Sequence, residues 1–191
     1  TLLIDALKQG DDTAIAAPLH ALMELHHLDF MTVLNRDGRV FTRARPPHHR
    51  GDMAFRDGIL TDALRGNEVT GTVLIPLPVL ELEGAGLLEK AQLKTIPTPM
   101  SKDVSPWRMN AGMALKAAVP VWDGGRQIGM VYGGVLLNHN DALVDKIQQT
   151  LFHDHAYEGR PLGSVTIFQR DARIATTLRG ANGARSVGTT V

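Results

Sequence analysis

The chain has 191 residues, a size typical of one globular domain with a substantial hydrophobic core. Its 20 basic and 20 acidic residues give a formal net charge of zero, which argues against nucleic acid as a partner because no broad positive field is present. Hydrophobic residues make up 43% of the chain and cysteine is absent, which indicates a folded domain and excludes disulfides, thiolate metal sites and a cysteine nucleophile.

The sequence contains no membrane-crossing segment. Glycine, proline or charge interrupts every apolar stretch well before the roughly 20 residues that a spanning helix needs. Thr1 is not followed by the basic head and apolar core of a signal peptide. Since no initiator methionine is present, we expect the sequence to belong to a longer protein whose membrane segments lie outside it.

The first predicted elements are a helix and a hairpin. Apolar residues recur at helical spacing between residues 15 and 25, which predicts a helix that ends near His26. Residues 30–35 are then predicted to form a strand and residues 39–43 its returning partner, around an Asp-Gly turn. Residues 1–28 are accordingly predicted to be an N-terminal helical segment.

The middle of the chain combines a helix, a strand and a long connection. A second helix is predicted through residues 55–64, ending at Gly66, followed by a β-branched strand over residues 69–75. Residues 76–112 contain five prolines and are predicted to be irregular apart from one helix over residues 87–93. Connections of this length are usually binding loops or lids.

The strongest hairpin signal follows this connection. Residues 114–121 and 127–137 are apolar enough to be central strands, and the Asp-Gly-Gly at residues 123–125 is a favourable turn between them. Asn140 or Asp141 then caps a closing helix that runs to about Phe152.

An internal repeat relates two hairpins. Residues 31–43 align with residues 165–177, and five of the thirteen positions are identical: Thr32, Arg36, Asp37, Arg39 and Thr42 match Thr166, Arg170, Asp171, Arg173 and Thr176. One interpretation is the pattern shared by any two hairpins. The other is two tandem modules, the second incomplete at Val191. Because two strands alone are marginally stable, the second hairpin must then pack on the first module, a partner chain or sequence outside this chain.

Signatures of enzymes are missing from the sequence. There is no Gly-x-Ser-x-Gly elbow, no His-Glu-x-x-His helix and no phosphate-binding loop, and the glycines of residues 129–134 lie in a strand. We therefore expect a protein that is not an enzyme.

The eight histidines are candidates for a metal site. Neighbours such as His48 and His49 point to different faces of an element, whereas His153 and His155 could present both rings on one side of an extended segment. The alternative is that these histidines are polar residues at the ends of elements. We expect no metal and no cofactor.

A small-molecule site is predicted around Trp107 and Arg108, in the long connection. Arginine matches both oxygens of a carboxylate and tryptophan covers an apolar body, which favours a small carboxylate or another anion. Alternatively, the arginine is solvated and the tryptophan fills a gap. The complete candidate set is Trp107, Arg108, Lys116, Tyr132, Met113, Arg50 and His49.

Whether Lys116 and Tyr132 lie on the same face of the sheet depends on the register of the central hairpin. Lys116 lies in an apolar run, where an unpaired charge is expensive, so it needs an anion or an exit to solvent. A two- or four-residue turn pairs Lys116 with Gly133 and puts Tyr132 on the other face, whereas a three-residue loop pairs Lys116 with Gly134 and puts Tyr132 beside it. The residues that flank Pro46 and Pro47 either rim the same cavity or belong to a solvated charged loop: Arg45, His49, Arg50 and Asp52.

Several blocks in the chain resemble a known family. The most specific block covers residues 132–138, and the others cover residues 117–121, 123–124, 129–131, 143–147, 163–168, 171, 173–176 and 188–191. Together they resemble the extracytoplasmic double Cache sensor regions of bacterial histidine kinases and methyl-accepting chemotaxis receptors. The resemblance covers most of the chain from about Phe30 onward.

The resemblance implies an α+β fold with a PAS-like antiparallel sheet flanked by helices. It implies a long N-terminal helix leading from a membrane segment, a membrane-distal ligand-binding domain over residues 29–156, and a second, truncated Cache-like module nearer the membrane over residues 157–191. Trp107, Arg108 and Tyr132 match in part the spaced Tyr, Arg, Trp and Asp pattern of amino-acid-binding relatives.

The functional expectation is a periplasmic sensor domain of a transmembrane receptor, with a kinase or chemotaxis output outside this chain. Ligand binding would close the proline-rich connection onto the sheet and shift a conformational population. We expect a homodimer formed through the N-terminal helical segment. The principal alternative is a structural dimerisation module that binds no ligand; a small hydrolase or transferase would need a nucleophile and base that the sequence does not provide.

Overall fold

The computed structural model describes residues 2–102, 105–152, 156–157 and 160–191. Its helices are α1 (Leu2–Gln9), α2 (Thr13–Leu25), α3 (Gly58–Leu64), α4 (Leu77–Glu83), α5 (Leu87–Ala91) and α6 (Asp141–Phe152). Its strands are β1 (Phe30–Asn35), β2 (Val40–Arg43), β3 (Val69–Pro76), β4 (Ala111–Asp123), β5 (Arg126–Leu136), β6 (Ala156–Tyr157), β7 (Arg160–Pro161), β8 (Thr166–Gln169) and β9 (Ala172–Thr176). None of these helices is long and apolar enough to cross a membrane.

A five-stranded antiparallel sheet forms the centre of the fold. Its strand order is β2-β1-β5-β4-β3, with the long β4–β5 hairpin in the middle and helices on its faces. The predicted α+β class and PAS-like sheet are confirmed. The division of the chain into residues 1–28, 29–156 and 157–191 stays a prediction.

The pairing of the central hairpin follows from a tight turn and a bulge. Asp123 pairs with Arg126 across a two-residue turn, and the register then shifts by one residue between Val121 and Trp122. As a result Lys116 pairs with Gly134, the register predicted for a three-residue loop. Because one bulged residue changes the alternation of all later side chains, Lys116 and Tyr132 share a face of the sheet.

The N-terminal segment contains two helices instead of the single long helix that the resemblance implies. Gly10 separates α1 from α2 and has a φ of 72°, a left-handed conformation that ends a helix and that glycine adopts at low cost. Residues of both helices pack on Val33 and Val131, on the side of the sheet opposite α3 and α4.

The long connection is more regular than predicted, because it contains α4 as well as α5. Pro76 and Pro78 suggested a break, but Pro76 is the N-cap of α4 and Pro78 lies in its first turn, where a missing N–H costs nothing. Leu80 and Leu87, from the two helices, then pack in the main core with Phe30 and Leu136.

The rest of the connection joins a second sheet. The β8–β9 hairpin is extended by residues 188–190, where Arg173 N donates to Thr189 O at 3.0 Å. Residues 93–96 follow, with Ile96 N donating to Gly188 O at 2.8 Å. Residues 107–109 complete the sheet through the bond from Thr95 N to Trp107 O at 2.9 Å. The second hairpin therefore packs on the first module, and residues 93–96 and 107–109 extend this second sheet instead of closing over the first.

The two hairpins of the internal repeat share a local irregularity. The register of β1 with β2 shifts between Val33 and Leu34, and that of β8 with β9 shifts between Ile167 and Phe168, the corresponding repeat positions. The second hairpin is one residue tighter, since Thr166 pairs with Thr176. This shared bulge supports the interpretation of the two hairpins as a structural repeat, because β-bulges are conserved at equivalent positions of related strands.

Candidate functional site

Buried polar side chains gather between the sheet and helices α3 and α4. Side chains alternate along a strand, so each of β1, β2, β4 and β5 directs every second residue to this face. The sheet contributes two cations, a hydroxyl and a phenol, and the connections contribute three carboxylates. We call this group the polar cluster: Thr32, Arg43, Asp52, Asp57, Glu83, Lys116 and Tyr132.

Glu83 is the acceptor at the centre of the polar cluster. It is the last residue of α4 and only 3% exposed. Its carboxylate accepts hydrogen bonds from the Thr32 hydroxyl at 2.7 Å and from the Tyr132 hydroxyl at 2.6 Å. Arg43 Nε lies 3.5 Å from the same carboxylate. A buried carboxylate of this kind is held in place by its donors.

Arg43 is the central donor, and it is 1% exposed. Its two terminal nitrogens donate to the two carboxylate oxygens of Asp52, both at 2.8 Å, and Nη1 also donates to His49 O at 2.8 Å. Its Nε has no hydrogen-bond partner among the described residues. Burial disfavours the guanidinium, but the hydrogen bonds to Asp52 and the charge of Glu83 outweigh it and raise the pKa of Arg43.

Lys116 is paired with a carboxylate in the adjacent loop. Its Nζ donates to Asp57 Oδ2 at 2.8 Å and lies 4.2 Å from the centroid of the Tyr132 ring, a cation–π contact. The other oxygen of Asp57 caps α3 by accepting from Leu60 N at 2.7 Å. The anion that the sequence required for Lys116 is thus supplied by the chain.

The environment shifts two acidic groups in opposite directions. Burial, and next the charge of Glu83, raise the pKa of Tyr132 well above its ordinary value, so the phenol stays protonated and donates. The hydrogen bonds from Arg43 lower the pKa of Asp52, against the effect of burial. Two cations therefore face three carboxylates in the polar cluster.

The structure brings only some of the predicted site residues together. Lys116 and Tyr132 belong to the polar cluster, whereas Trp107 and Met113 pack against the core beneath the second sheet, which includes Leu137. The Trp107 ring contacts the Arg170 guanidinium, 5.1 Å from the ring centroid. Arg108 is exposed on the second sheet, opposite Lys94. A ligand role for Trp107, Arg108 and Met113 stays a prediction.

His49 and Arg50 lie outside the polar cluster and face different directions. His49 accepts from Arg43 through its backbone carbonyl, and it lines an open cleft of about 280 Å³ beside the end of α4. Arg50 forms an ion pair with Asp12, before α2, and lines a separate cleft of about 380 Å³. His49 is therefore near the polar cluster and Arg50 is directed away from it.

Four members of the polar cluster were not identified from the sequence: Thr32, Arg43, Asp57 and Glu83. Asp52 was predicted only as a possible rim residue of the cavity. Strict alternation along β2 would place Arg43 on the same face as Phe41, but a bulge in this hairpin pairs Arg43 with Thr32 and places it on the face of the polar cluster. Glu83 lay in a stretch predicted to be irregular, so its inward position on α4 gave no periodic signal.

No candidate metal site is found in the described part of the chain, where no three His, Asp or Glu side chains come together suitably. His153 and His155 lie outside the described residues, so the structure does not address that pair. A cleft of about 750 Å³ lies between α6 and the turn after β9, and its lining includes Asp145, Gln148 and Arg179.

Comparison with known proteins finds a family model that matches the C-terminal part of the chain. Residues 135–191 match the family model described as single Cache domain 3. No curated protein matches the chain.

Three solved structures are similar to this chain. A domain of a sensory box/GGDEF family protein from Vibrio parahaemolyticus has 10% identity and a TM-score of 0.52, covering 93% of this chain and 60% of that one. The periplasmic domain of Vibrio cholerae LuxQ has 17% identity and a TM-score of 0.48, covering 94% and 66%. The E. coli DcuS sensor domain has 17% identity and a TM-score of 0.39, covering 63% and 65%.

The chain spans less than two thirds of the length of each of these three solved chains. The Vibrio parahaemolyticus domain shares its fold with nearly the whole of this chain.

Proposed function

We propose that this chain, which carries a Cache-type sensor domain, is the extracytoplasmic part of a membrane receptor and binds a small carboxylate at the polar cluster. The observation that carries the proposal is the convergence of Thr32, Tyr132 and Arg43 on the carboxylate of Glu83. The domain would bind its ligand without transforming it, and the output domain would lie elsewhere in the receptor.

A ligand carboxylate would use the donors that now hold Glu83. The two hydroxyls are 2.7 and 2.6 Å from its oxygens, and Arg43 Nε has no hydrogen-bond partner within the described chain. Charge-assisted hydrogen bonds from a buried arginine are among the strongest polar contacts available to a carboxylate. Glu83 thus occupies the position that we assign to the ligand.

Binding would require Glu83 to leave. With Glu83 in place, two cations face three carboxylates, and a fourth carboxylate would be repelled in a buried site. Exchange avoids this cost because the number of carboxylates is unchanged. Glu83 is at the end of the short helix α4, so its release would displace that helix from the sheet.

A displacement of α4 would be transmitted to the second sheet through the chain that connects them. The chain continues from α4 through α5 into residues 93–96, which pair with residues 188–190. The hydroxyls of Thr98 and Ser101 add bonds to Thr190 O at 2.8 and 3.1 Å. A ligand that favours the displaced state would shift the population of both sheets together.

The proposal is tested by thermal unfolding in the presence of small mono- and dicarboxylates, with the corresponding amides and amines as controls. A carboxylate at about 100 times its Kd adds roughly 2.7 kcal/mol to the folded state, which raises the Tm by about 5–11 °C. Tyr132→Phe, which removes one donor, should reduce that shift.

Arg108→Ala separates this site from the one first predicted. If the polar cluster is the site, the ligand-induced shift persists in this variant. If Arg108→Ala loses the ligand-induced rise in Tm and Tyr132→Phe keeps it, the ligand binds at Trp107 and Arg108 instead of at the polar cluster.

A second candidate function is a structural module without a ligand. It is favoured by the polar cluster itself, in which every side-chain polar atom except Arg43 Nε is satisfied or partly exposed. In that case no carboxylate would raise the Tm, and Glu83→Gln would destabilise the domain without creating affinity for any carboxylate.

A further inference from the structure

The outer face of the second sheet carries basic and apolar side chains. Leu93, Thr95 and Met109 are buried beneath the sheet. Since side chains alternate, Lys94 and Ile96 lie on the outer face, as does Arg108 on the neighbouring segment. We call this surface the basic face; it comprises Lys94, Ile96, Arg108, Phe168, Arg173 and Thr189.

Two cations of the basic face are directly opposite each other. Lys94 pairs with Arg108, between the backbone bonds from Thr95 N to Trp107 O at 2.9 Å and from Met109 N to Leu93 O at 3.0 Å. In this pattern Lys94 and Arg108 occupy a non-hydrogen-bonded position, where Cα atoms are about 4.5 Å apart and side chains are closest. Like charges placed so are mutually destabilising unless an anion lies between them.

A third cation continues the basic face. Arg173 donates from Nη1 to the Thr189 hydroxyl at 2.9 Å, and its guanidinium lies 5.4 Å from the centroid of the Phe168 ring. Ile96 lies beside Thr189 on the next segment. The face thus extends across the second sheet from Phe168 to Arg108.

The cations of the basic face have no acidic partner among the described residues. None of the ion pairs formed there includes Lys94, Arg108 or Arg173, although Asp171 lies in the turn before β9. Two apolar side chains are exposed among them, Ile96 at 55% and Phe168 at 39%. The chain as a whole has zero net charge, so these cations are not part of a general excess of positive charge.

We propose that the basic face docks on a bilayer that contains anionic phospholipid. Lipid phosphates would lie between Lys94 and Arg108 and relieve their repulsion, while Ile96 and Phe168 would enter the apolar part of the interface. Cations flanking exposed apolar side chains are the composition expected of such a contact.

A bilayer fits this surface better than an acidic protein because the basic face is small. Five strand segments spaced about 4.8 Å apart extend roughly 20 Å, and only two or three residues of each segment belong to the sheet. That area is far below the roughly 800 Å² per partner of a standard protein interface. Binding to an anionic bilayer instead increases with each cation and each apolar group at the surface. A membrane is close by if the domain is extracytoplasmic, and in this respect the inference rests on the proposed function.

The test is co-sedimentation of the chain with vesicles of phosphatidylglycerol and phosphatidylcholine, compared with phosphatidylcholine alone, at low salt. Binding should need the anionic lipid and should fall when salt is raised to about 0.5 M, because counterions screen exposed charges. Lys94→Gln with Arg108→Gln should weaken partitioning roughly 30-fold, about 5-fold per cation.

Arg56→Gln with Arg126→Gln is the matched control, since it removes the same charge from exposed positions on the first module. This control should keep nearly all of its vesicle binding. Equal loss in both double variants would overturn the proposal, because net charge would then be responsible. Binding to polyglutamate but not to the anionic vesicles would overturn it in favour of an acidic protein.

The vesicle experiment and the ligand experiment fail independently. The Lys94→Gln, Arg108→Gln variant should retain the carboxylate-induced rise in Tm, because the polar cluster is in the other sheet. If the variant keeps that rise and the unmodified chain does not bind anionic vesicles, the proposal that the basic face docks on a bilayer is wrong and the proposed function is unaffected.

Discussion

At the scale of single residues, the fold tolerates charge in its interior because each buried ion has a specific partner. Lys116 pairs with Asp57, and Arg43 pairs with Asp52 and lies near Glu83. Removing one partner of such a pair leaves an uncompensated charge and typically costs about 3–5 kcal/mol. The partners therefore restrict what can change at these positions without loss of the fold.

Tyr132 gives a prediction about pH. In the unfolded chain its pKa is about 10, and burial raises the pKa in the folded state above that value. The unfolded state therefore loses this proton first, so the contribution of the neutral phenol is fully present below pH 10 and declines as the pH rises beyond it. The decline approaches about 1.4 kcal/mol per pH unit.

The measurement is the free energy of unfolding in urea between about pH 9 and pH 11, for the unmodified protein and Tyr132→Phe. Other groups titrate in this range, so the difference between the two proteins is the relevant quantity. The stability advantage of the tyrosine should shrink as the pH rises. A difference that does not change with pH would show that the phenol of Tyr132 is not protected from ionisation.

At the scale of elements, the two repeated hairpins obtain their stability in different ways. The β1–β2 hairpin is paired with β5 in the first sheet, whereas β8–β9 depends on residues 188–190 and 93–96. Ile174 is fully buried with Leu93 and Met109 beneath the second sheet. Residues 93–96 and 107–109 of the long connection are thus a structural part of the second module.

Ile174→Ala tests this dependence. It should cost about 2–5 kcal/mol, because it leaves a cavity beneath the second sheet. Hydrogen exchange should increase in β9 and also in residues 93–96 and 107–109, while β4 and β5 remain protected.

Val40→Ala is the control, since Val40 is the repeat counterpart of Ile174 and is buried in the main core of the first sheet. Its effect should appear in β1 and β2 and not in residues 107–109. Increased exchange confined to β8 and β9 in Ile174→Ala would show that the connection does not support the second hairpin.

At the scale of the whole molecule, the two sheets share one connection, and the first sheet is covered unequally on its two faces. Helices α3, α4 and α5 pack on one face, while α1 and α2 pack on the other. The N-terminal helices also present exposed leucines: Leu2, Leu22 and Leu25, the last 70% exposed. Exposed apolar groups of this kind often mark an interaction site.

We predict that the chain forms a weak dimer through these helices. Leu22 and Leu25 are three residues apart and lie on one face of α2, so Leu22→Lys with Leu25→Lys should disrupt the contact. Sedimentation should show association that increases with concentration in the unmodified chain and only monomer in the variant. Leu151→Lys, at an exposed leucine of α6, should leave association unchanged; a monomer at every concentration of the unmodified chain would contradict the prediction.

Local patterns were sufficient to locate most elements. The predicted strand over residues 30–35 is β1, and the predicted closing helix ends at Phe152 as α6 does. Alternating or helical spacing and the turn residues between them are local properties, so the sequence carries them directly. Helix α4 was missed because the same prolines that end a helix also fit its first turn.

The contacts within the polar cluster could not be predicted from local sequence, because they depend on the tertiary structure. The sequence by itself determined that Lys116, in an apolar run, needs an anion, because an unpaired buried charge is too costly. Only the fold decided that this anion is Asp57, 59 residues away, and that Tyr132 lies beside it, because a bulge between Val121 and Trp122 sets the register. Arg43 and Glu83 meet for the same reason: their contact depends on how a strand and a distant helix pack, and no local pattern encodes that distance.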